Sequence, residues 1–504
     1  MVRTPAALRR LLDVVPALLG DSRVEVRFTV DGGSVFAAGL PDKLTAVGAL
    51  WQPWENACQE RFDLALAASD KSDLHLLDAP VVLMPHGAGY HRQSAGGVVS
   101  GLNRSALVVD GRVLPHTVVV AHGNQVAALR SVDARLAEHA LVARDPCLDR
   151  ITASEGQRHR HRTSFDADGR RMVLLCSTWG THSLFGTTPD LAEHLVTALP
   201  ADHYRVAMTL HPNVWQRHGS LQVRAWLRRA VRAGLVLIRP DEDWRPALLA
   251  TDVVVSDHGS LTCYAAAARR PVLLAADGGP EVVPGSPLAR LLTTLPRLNG
   301  LPGDVPVPPE DAVNAIFDHR EPAAMDDLFY RILDLPPPEC MAPEPIPLSS
   351  PEFTEPTHYR TTTHAEVTDD TACLTLTRTT ARQADGSLAA DEMSPEIGLI
   401  DSASAIWSSS PFPDRTSATT HAHALLDRYP GARLAVTAVD SHAPRLTKMT
   451  TVVAFRDGQV RVVDSTVSTS VAAAALHWWS LLPAPRPSRI TISAGAASGE
   501  LVVH

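Results

Sequence analysis

The chain has 504 residues, more than one hydrophobic core can serve, so about two to four domains are expected. Hydrophobic residues make up 45% and charged residues 20%, a globular balance that excludes disorder through most of the length. A net charge of -9 without a long Lys/Arg block argues against a nucleic-acid groove, and no run approaches the ~18 apolar residues of a membrane span.

At the start, Arg9-Arg10 lie in a short amphipathic segment with no apolar core or small-residue cleavage site, which does not read as a leader. From there the pattern predicts a strand over 24–30, a helix over 35–50 and a strand over 64–67. Apolar runs at 81–84 and 118–121 follow, ending at Pro85-His86-Gly87 and His122-Gly123-Asn124. Strands alternating with helices imply a parallel sheet covered on both faces. Residues 1–153 are assigned to a first Rossmann-like domain.

A second domain, 154–334, shows strands at 172–176, 206–210, 235–238, 253–255 and 272–274. Helices at 189–199, 220–233, 244–250 and 261–268 separate them, with apolar residues every third or fourth position. Two further helices are predicted, over 309–317 and near 325–333. The stretch 335–356 holds eight prolines in 22 residues and reads as an extended, semi-rigid linker. Residues 357–504 read as a smaller α+β domain, with a hairpin at 451–455 and 460–463 around Asp457-Gly458 and a helix over 471–482. The expected fold is therefore α/β: two tandem doubly wound domains, then an accessory α+β domain of unassigned role.

Six cysteines, Cys58, Cys147, Cys176, Cys263, Cys340 and Cys373, form no CxxC pair and no metal-finger spacing, which indicates neither a disulfide framework nor a structural zinc. Lysine is confined to Lys43, Lys71 and Lys448, a bias attributed to genomic composition. The expected location is cytoplasmic, free or peripheral at the inner membrane face.

Four polar motifs follow strands of the second domain: Cys176-Ser177-Thr178-Trp179-Gly180, His211-Pro212-Asn213, Arg239-Pro240-Asp241 and Ser256-Asp257-His258-Gly259-Ser260. Loops leaving the carboxyl ends of parallel strands line one crevice. The Ser256 to Ser260 turn opens a helix, whose free N–H groups and dipole suit a phosphate, although Ser256 or Asp257 would cap any helix. His211 can donate to a diphosphate, and His86 at the corresponding edge of the first domain can accept a hydroxyl proton. His91, His116 and His122 compete for that role. The acidic Asp241-Glu242-Asp243 suits capping of the next helix better than a metal. His159 and His161 among Arg158, Arg160 and Arg162 read as an exposed basic segment. GxGxxG and GxxxxGK[ST] fingerprints are absent, so no nicotinamide dehydrogenase or P-loop ATPase is supported.

Over roughly residues 24–330 these motifs resemble the CDP-glycerol glycerophosphotransferases, or teichoic acid polymerase-like enzymes, of GT-B architecture. His86-Gly87 resembles the family's strand-end His-Gly, and Asp145-Pro146-Cys147-Leu148-Asp149 loosely resembles its Gly-x-Pro-Arg-x-Asp. Thr178-Trp179, His211-Pro212 and Asp257-His258-Gly259-Ser260 are similar to its Thr-Trp, His-Pro and Asp-Tyr-Ser-Ser elements in the same order. The resemblance implies His86 as base on an acceptor hydroxyl that attacks the β-phosphorus of CDP-glycerol and expels CMP. It implies His211, Thr178, Trp179, Asp257, His258, Gly259 and Ser260 at the donor diphosphate, with no cofactor or metal. Partners would be a nucleotide-diphosphate donor and a polyol or glycan acceptor. Pro85, Gly180 and His258-Gly259 depart from the pattern. The turn is also similar to nucleotide-sugar glycosyltransferases and UDP-N-acetylglucosamine 2-epimerases of the same fold, so the donor stays open, as does a non-catalytic nucleotide-binding role.

Overall fold

The computed structural model describes residues 1–94, 96–318, 322–338, 343–440 and 449–504. Cys340, Lys448 and residues 339–342 of the proline-rich stretch lie outside them. Among the described residues no helix is long and apolar enough to cross a membrane. The fold is mixed α/β, with two parallel sheets followed by a closed barrel.

The second sheet has five parallel strands in the order Val236–Ile238, Tyr204–Leu210, Arg171–Ser177, Val253–Ser256, Val272–Leu274. Its chain order reverses beside the first strand, as doubly wound topology requires. Both faces are covered: Met172, Leu174 and Cys176 enter one core while Val173 and Leu175 enter the other, the period-two alternation of a buried strand. The predicted helix over 220–233 is two helices, Ser220–Trp226 and Arg228–Arg232.

The first sheet departs from the expected doubly wound form. Ala65–Ala67, Val81–Leu83, Thr117–Val120 and Ala140–Val142 pair in sequence order, without a reversal. The strand expected over 24–30 is Phe28–Val30, and it pairs instead with Trp51–Pro53 in a separate two-stranded sheet. Pro53 has no N–H to extend that ladder. The helix expected over 35–50 shortens to Leu40–Ala46.

The two units share chain. Helix Met325–Ile332, expected with the second unit, places Met325, Leu328, Phe329 and Tyr330 in the core formed by the first helix, Pro5–Val14, and the strand Phe28–Val30. Ala323 bridges Ala143 on the way. Helix Pro5–Val14 also faces the second unit: buried Arg10 donates to Asp145 at 2.8 Å, and the Tyr264 hydroxyl donates to the same oxygen at 3.1 Å. Asp13 accepts from Arg245 at 2.5 Å and Arg150 at 3.0 Å.

The basic segment read as exposed is a helix, Arg158–Ser164, in which His159 and Arg160 are exposed but His161 is fully buried. Arg158 and Arg162 both bind Asp252, at 2.6 and 2.8 Å, so the cations serve an internal carboxylate.

Beyond the second unit, residues 343–356 carry no helix or strand. Ile346 is buried in the second unit's core, and its N–H donates to Ser154 Oγ at 2.8 Å. The expected α+β domain is a closed nine-stranded barrel, which leaves no free strand edge. Helix Thr469–Ser480 buries Val471 to Leu476 and Trp479 among its inner side chains, while helix Arg415–Arg428 packs outside.

Candidate functional site

Strand register brings three of the four motifs together. Leu210 pairs with Ser177, and Val255 with Leu175 on the other side, so the loops beginning at Thr178, His211 and Asp257 leave adjacent strands a few ångströms apart. His211 N–H closes the set by donating to the Ser177 carbonyl at 2.9 Å.

Asp257 is the strut of this edge. Its buried carboxylate accepts from the backbone N–H groups of Thr178, Leu184 and Gly259, each at 2.9 Å. Burial raises its pKa above the ordinary carboxylate range, with His258 and these donors pulling the other way. The N–H donors favour its ionised form against burial, and with three of them to serve Asp257 shapes the loops and has little left for a ligand. His258 is likewise engaged internally. Its Nε2 lies 3.2 Å from Glu281, which also accepts from Arg92 Nη2 at 2.7 Å. Gly278, at φ +77°, is packed so closely that a Cβ there would stand 2.2 Å from the His258 ring.

His211 caps helix Pro212–His218, its Nδ1 accepting from the Asn213 N–H at 3.1 Å. Because that nitrogen accepts, the ring proton sits on Nε2. Burial first, then the neighbouring His86, Arg92 and Arg9, lowers its pKa to about 3. His211 is therefore a neutral N–H donor at physiological pH.

His86 has the opposite tautomer. Its Nδ1 lies 3.3 Å from the Ala68 carbonyl oxygen, which can only accept, so Nε2 carries a free lone pair. The residue is exposed, while the protein crowding it lowers its pKa and keeps the ring neutral; the Ala68 contact works the other way. The rivals fare differently. His91 is buried, held by the Ala88 carbonyl at 3.0 Å, with its pKa lowered to about 4. His116 bonds Thr117 and His122 caps Asn124.

The first unit rests on this edge. The Ala88 N–H donates to Ser260 Oγ at 3.4 Å, and a Cβ at Gly87 would stand 2.4 Å from that oxygen. Phe36 meets Trp179 edge-on at 5.9 Å between centroids, and Arg92 lies 4.3 Å over the same ring. Trp179 and His211 are 6.4 Å apart. Gly259 and Ser260 thus stand at the junction of the units, with the Gly259 N–H turned to Asp257 and not to the crevice.

Arg239-Pro240-Asp241 lies apart in role. The Arg239 N–H donates to Glu242, and Asp243 accepts from the Arg245 N–H and guanidinium; the N-cap of helix Arg245–Ala250 is Trp244, without a side-chain capping bond, so the acidic triplet leads into the helix and does not cap it as expected. Two participants, Arg92 and Glu281, were not legible from motifs. Their only sequence signal was position: Arg92 follows the Gly-rich turn after Val81–Leu83, and Glu281 follows Gly278-Gly279 after Val272–Leu274.

No family model matches the sequence, and no curated protein matches it. Among solved structures, a variant of the wall teichoic acid polymerase TagF aligns at 12% identity over 53% of this chain and 66% of that one, with a TM-score of 0.36. MnaA of S. aureus, in a co-structure with UDP, aligns at 13% identity over 62% and 84%, TM-score 0.37. HepE of Anabaena, in complex with UDP and glucose, aligns at 13% over 65% and 90%, TM-score 0.34. Likeness at this level bears on neither chemistry nor ligand.

Proposed function

We propose that this chain is a transferase of GT-B type that moves glycerol phosphate, or a related polyol phosphate, from a CDP-linked donor to an acceptor hydroxyl. The carrying observation is the pair of opposed histidines with complementary tautomers. His86 offers a bare Nε2 from the first unit, and His211 offers an Nε2–H from the second.

In this reading the acceptor hydroxyl gives its proton to His86 Nε2 while its oxygen forms a bond to the donor's β-phosphorus. The bond from that phosphorus to the bridging oxygen breaks, and CMP leaves with the electron pair. His211 stabilises the departing oxygen by a hydrogen bond without transferring a proton, since its ring is neutral. Arg92, fixed by Glu281 and stacked on Trp179, adds positive charge where negative charge accumulates. Thr178 and Trp179 flank the donor, and Asp257, His258 and Gly259 hold the loops in register.

Incubation of the full chain with CDP-glycerol and a glycerol-phosphate primer tests the reading. The expected result is CMP release that falls at least about 100-fold in His86→Ala, the usual worth of a general base. Undiminished release from the variant sinks the role of His86, and absence of CMP from the wild type sinks the donor. UDP release from UDP-sugars alone would move the assignment to glycosyl transfer.

A further inference from the structure

A cavity of about 500 Å³ lies at one end of the barrel, against the second unit. Its size falls within the range of small-molecule sites. It is far from the histidine pair in role and in residues: its wall comes from the barrel, from the start of helix Thr469–Ser480 and from the loop around Asp202.

The chemistry of the wall is specific. Tyr359 and Trp407 stack with centroids 6.1 Å apart. Arg378 lies 4.2 Å over the Tyr359 ring and is clamped by both oxygens of Asp202, at 2.8 and 2.6 Å. A third donor of Arg378 reaches Ser470 Oγ at 3.0 Å, and Ser470 pairs with Ser468 at 3.1 Å. Each cation at the wall has a carboxylate: Arg378 has Asp202, while Arg170 and Arg205 share Asp166 and Glu355 stands nearby. Tyr359 is only 6% exposed, yet its hydroxyl bonds to no described residue. That hydroxyl keeps accessible surface toward the cavity, where a ligand hydroxyl can replace water as its partner.

Several hydroxyls and charges already balanced in pairs suit a neutral, polyhydroxylated molecule, and they suit neither an anion nor an apolar one. We infer that this end of the barrel is a saccharide-binding site, with Tyr359, Arg378 and Ser470 hydrogen-bonding sugar hydroxyls. The inference does not depend on the transferase reading.

The test is calorimetry and ligand-observed NMR on the full chain with D-glucose, D-galactose, D-mannose and N-acetyl-D-glucosamine, alongside inorganic phosphate and glycerol 3-phosphate. At least one sugar is expected to bind, and Tyr359→Phe, which keeps the ring, to weaken it about fivefold, one hydrogen bond's worth. Ser470→Ala should weaken it similarly, with both variants retaining the wild-type melting profile. His86→Ala should leave sugar binding unchanged, and Tyr359→Phe should leave CMP release unchanged. The inference is overturned if no sugar binds, if sugar binding survives both barrel variants, or if it is lost in His86→Ala. Phosphate binding that Ser470→Ala abolishes, without sugar binding, would make this an anion site and overturn it too.

Discussion

Two histidines with the same side chain are set to different tasks by one contact each. A carbonyl facing Nδ1 makes His86 a base at Nε2, and a backbone N–H facing Nδ1 makes His211 a donor at Nε2. The sequence placed both at strand ends because Pro85 and Pro212 stop the strands, but a tautomer depends on the third-dimensional neighbour and has no sequence signal. The depressed pKa of His211 has a consequence for stability. Between pH 6.5 and about 3 the unfolded chain holds a proton there that the folded chain lacks. Stability therefore falls as pH drops through this window, by up to about 1.4 kcal/mol per unit. Denaturant midpoints from pH 7 to 4 should show a shallower decline in His211→Asn than in the wild type; parallel declines would place the proton uptake elsewhere. At Gly87, alanine has no room beside Ser260 Oγ. Gly87→Ala should part the units and lower turnover about tenfold, given the sensitivity of reaction rates to ~1 Å displacements. Ser260→Ala in the same chain should restore part of it, as steady-state rates of the three variants would reveal.

Elements were legible where burial made them uniform. All five strands of the second sheet announced themselves because each is covered on both faces, so its residues form apolar runs between polar loops. Ala140–Val142 was missed: it is only half-buried and too short for a pattern. Element junctions follow side chains that sequence leaves anonymous. Asp145 caps helix Pro146–Ser154 through the Leu148 N–H at 3.0 Å and also neutralises Arg10 from the first helix. Removing it strands a buried guanidinium, so Asp145→Ala should cost about 3–5 kcal/mol. Tyr264→Phe, which removes one donor and no charge, should cost about 1 kcal/mol. Urea titrations of both variants check the ordering, and a similar cost for the two would mean that Arg10 finds another partner.

At the scale of the molecule, the barrel is the part least visible in sequence. Its hairpin around Asp457-Gly458 was readable from local turn chemistry. Its closure was not, since Thr371–Thr379 pairs with Arg489–Ala494, with Asp370 and Ser488 bonding across 118 residues of chain. The Arg378–Asp202 clamp ties this barrel to the second unit, and the Ala201 N–H adds a bond to the Arg378 carbonyl at 2.8 Å. Asp202→Ala should destabilise the junction by about 3–5 kcal/mol. Calorimetric unfolding is then expected to give one merged transition in the wild type and separate transitions for barrel and α/β units in the variant; a single shifted peak would show that the clamp is not what couples them.

The return of helix Met325–Ile332 to the first core also sets a timetable for biosynthesis. When the ribosome has finished Val142, the last strand of the first sheet, the patch that Phe329 and Tyr330 will cover is still bare. Elongation at ~5–20 residues per second leaves it so for roughly 10–40 s. The second core waits as well, since Ile346 belongs to it. Neither unit can complete its core as soon as its last strand is made, and the nascent first unit, with this patch uncovered, is the natural client for a holding chaperone.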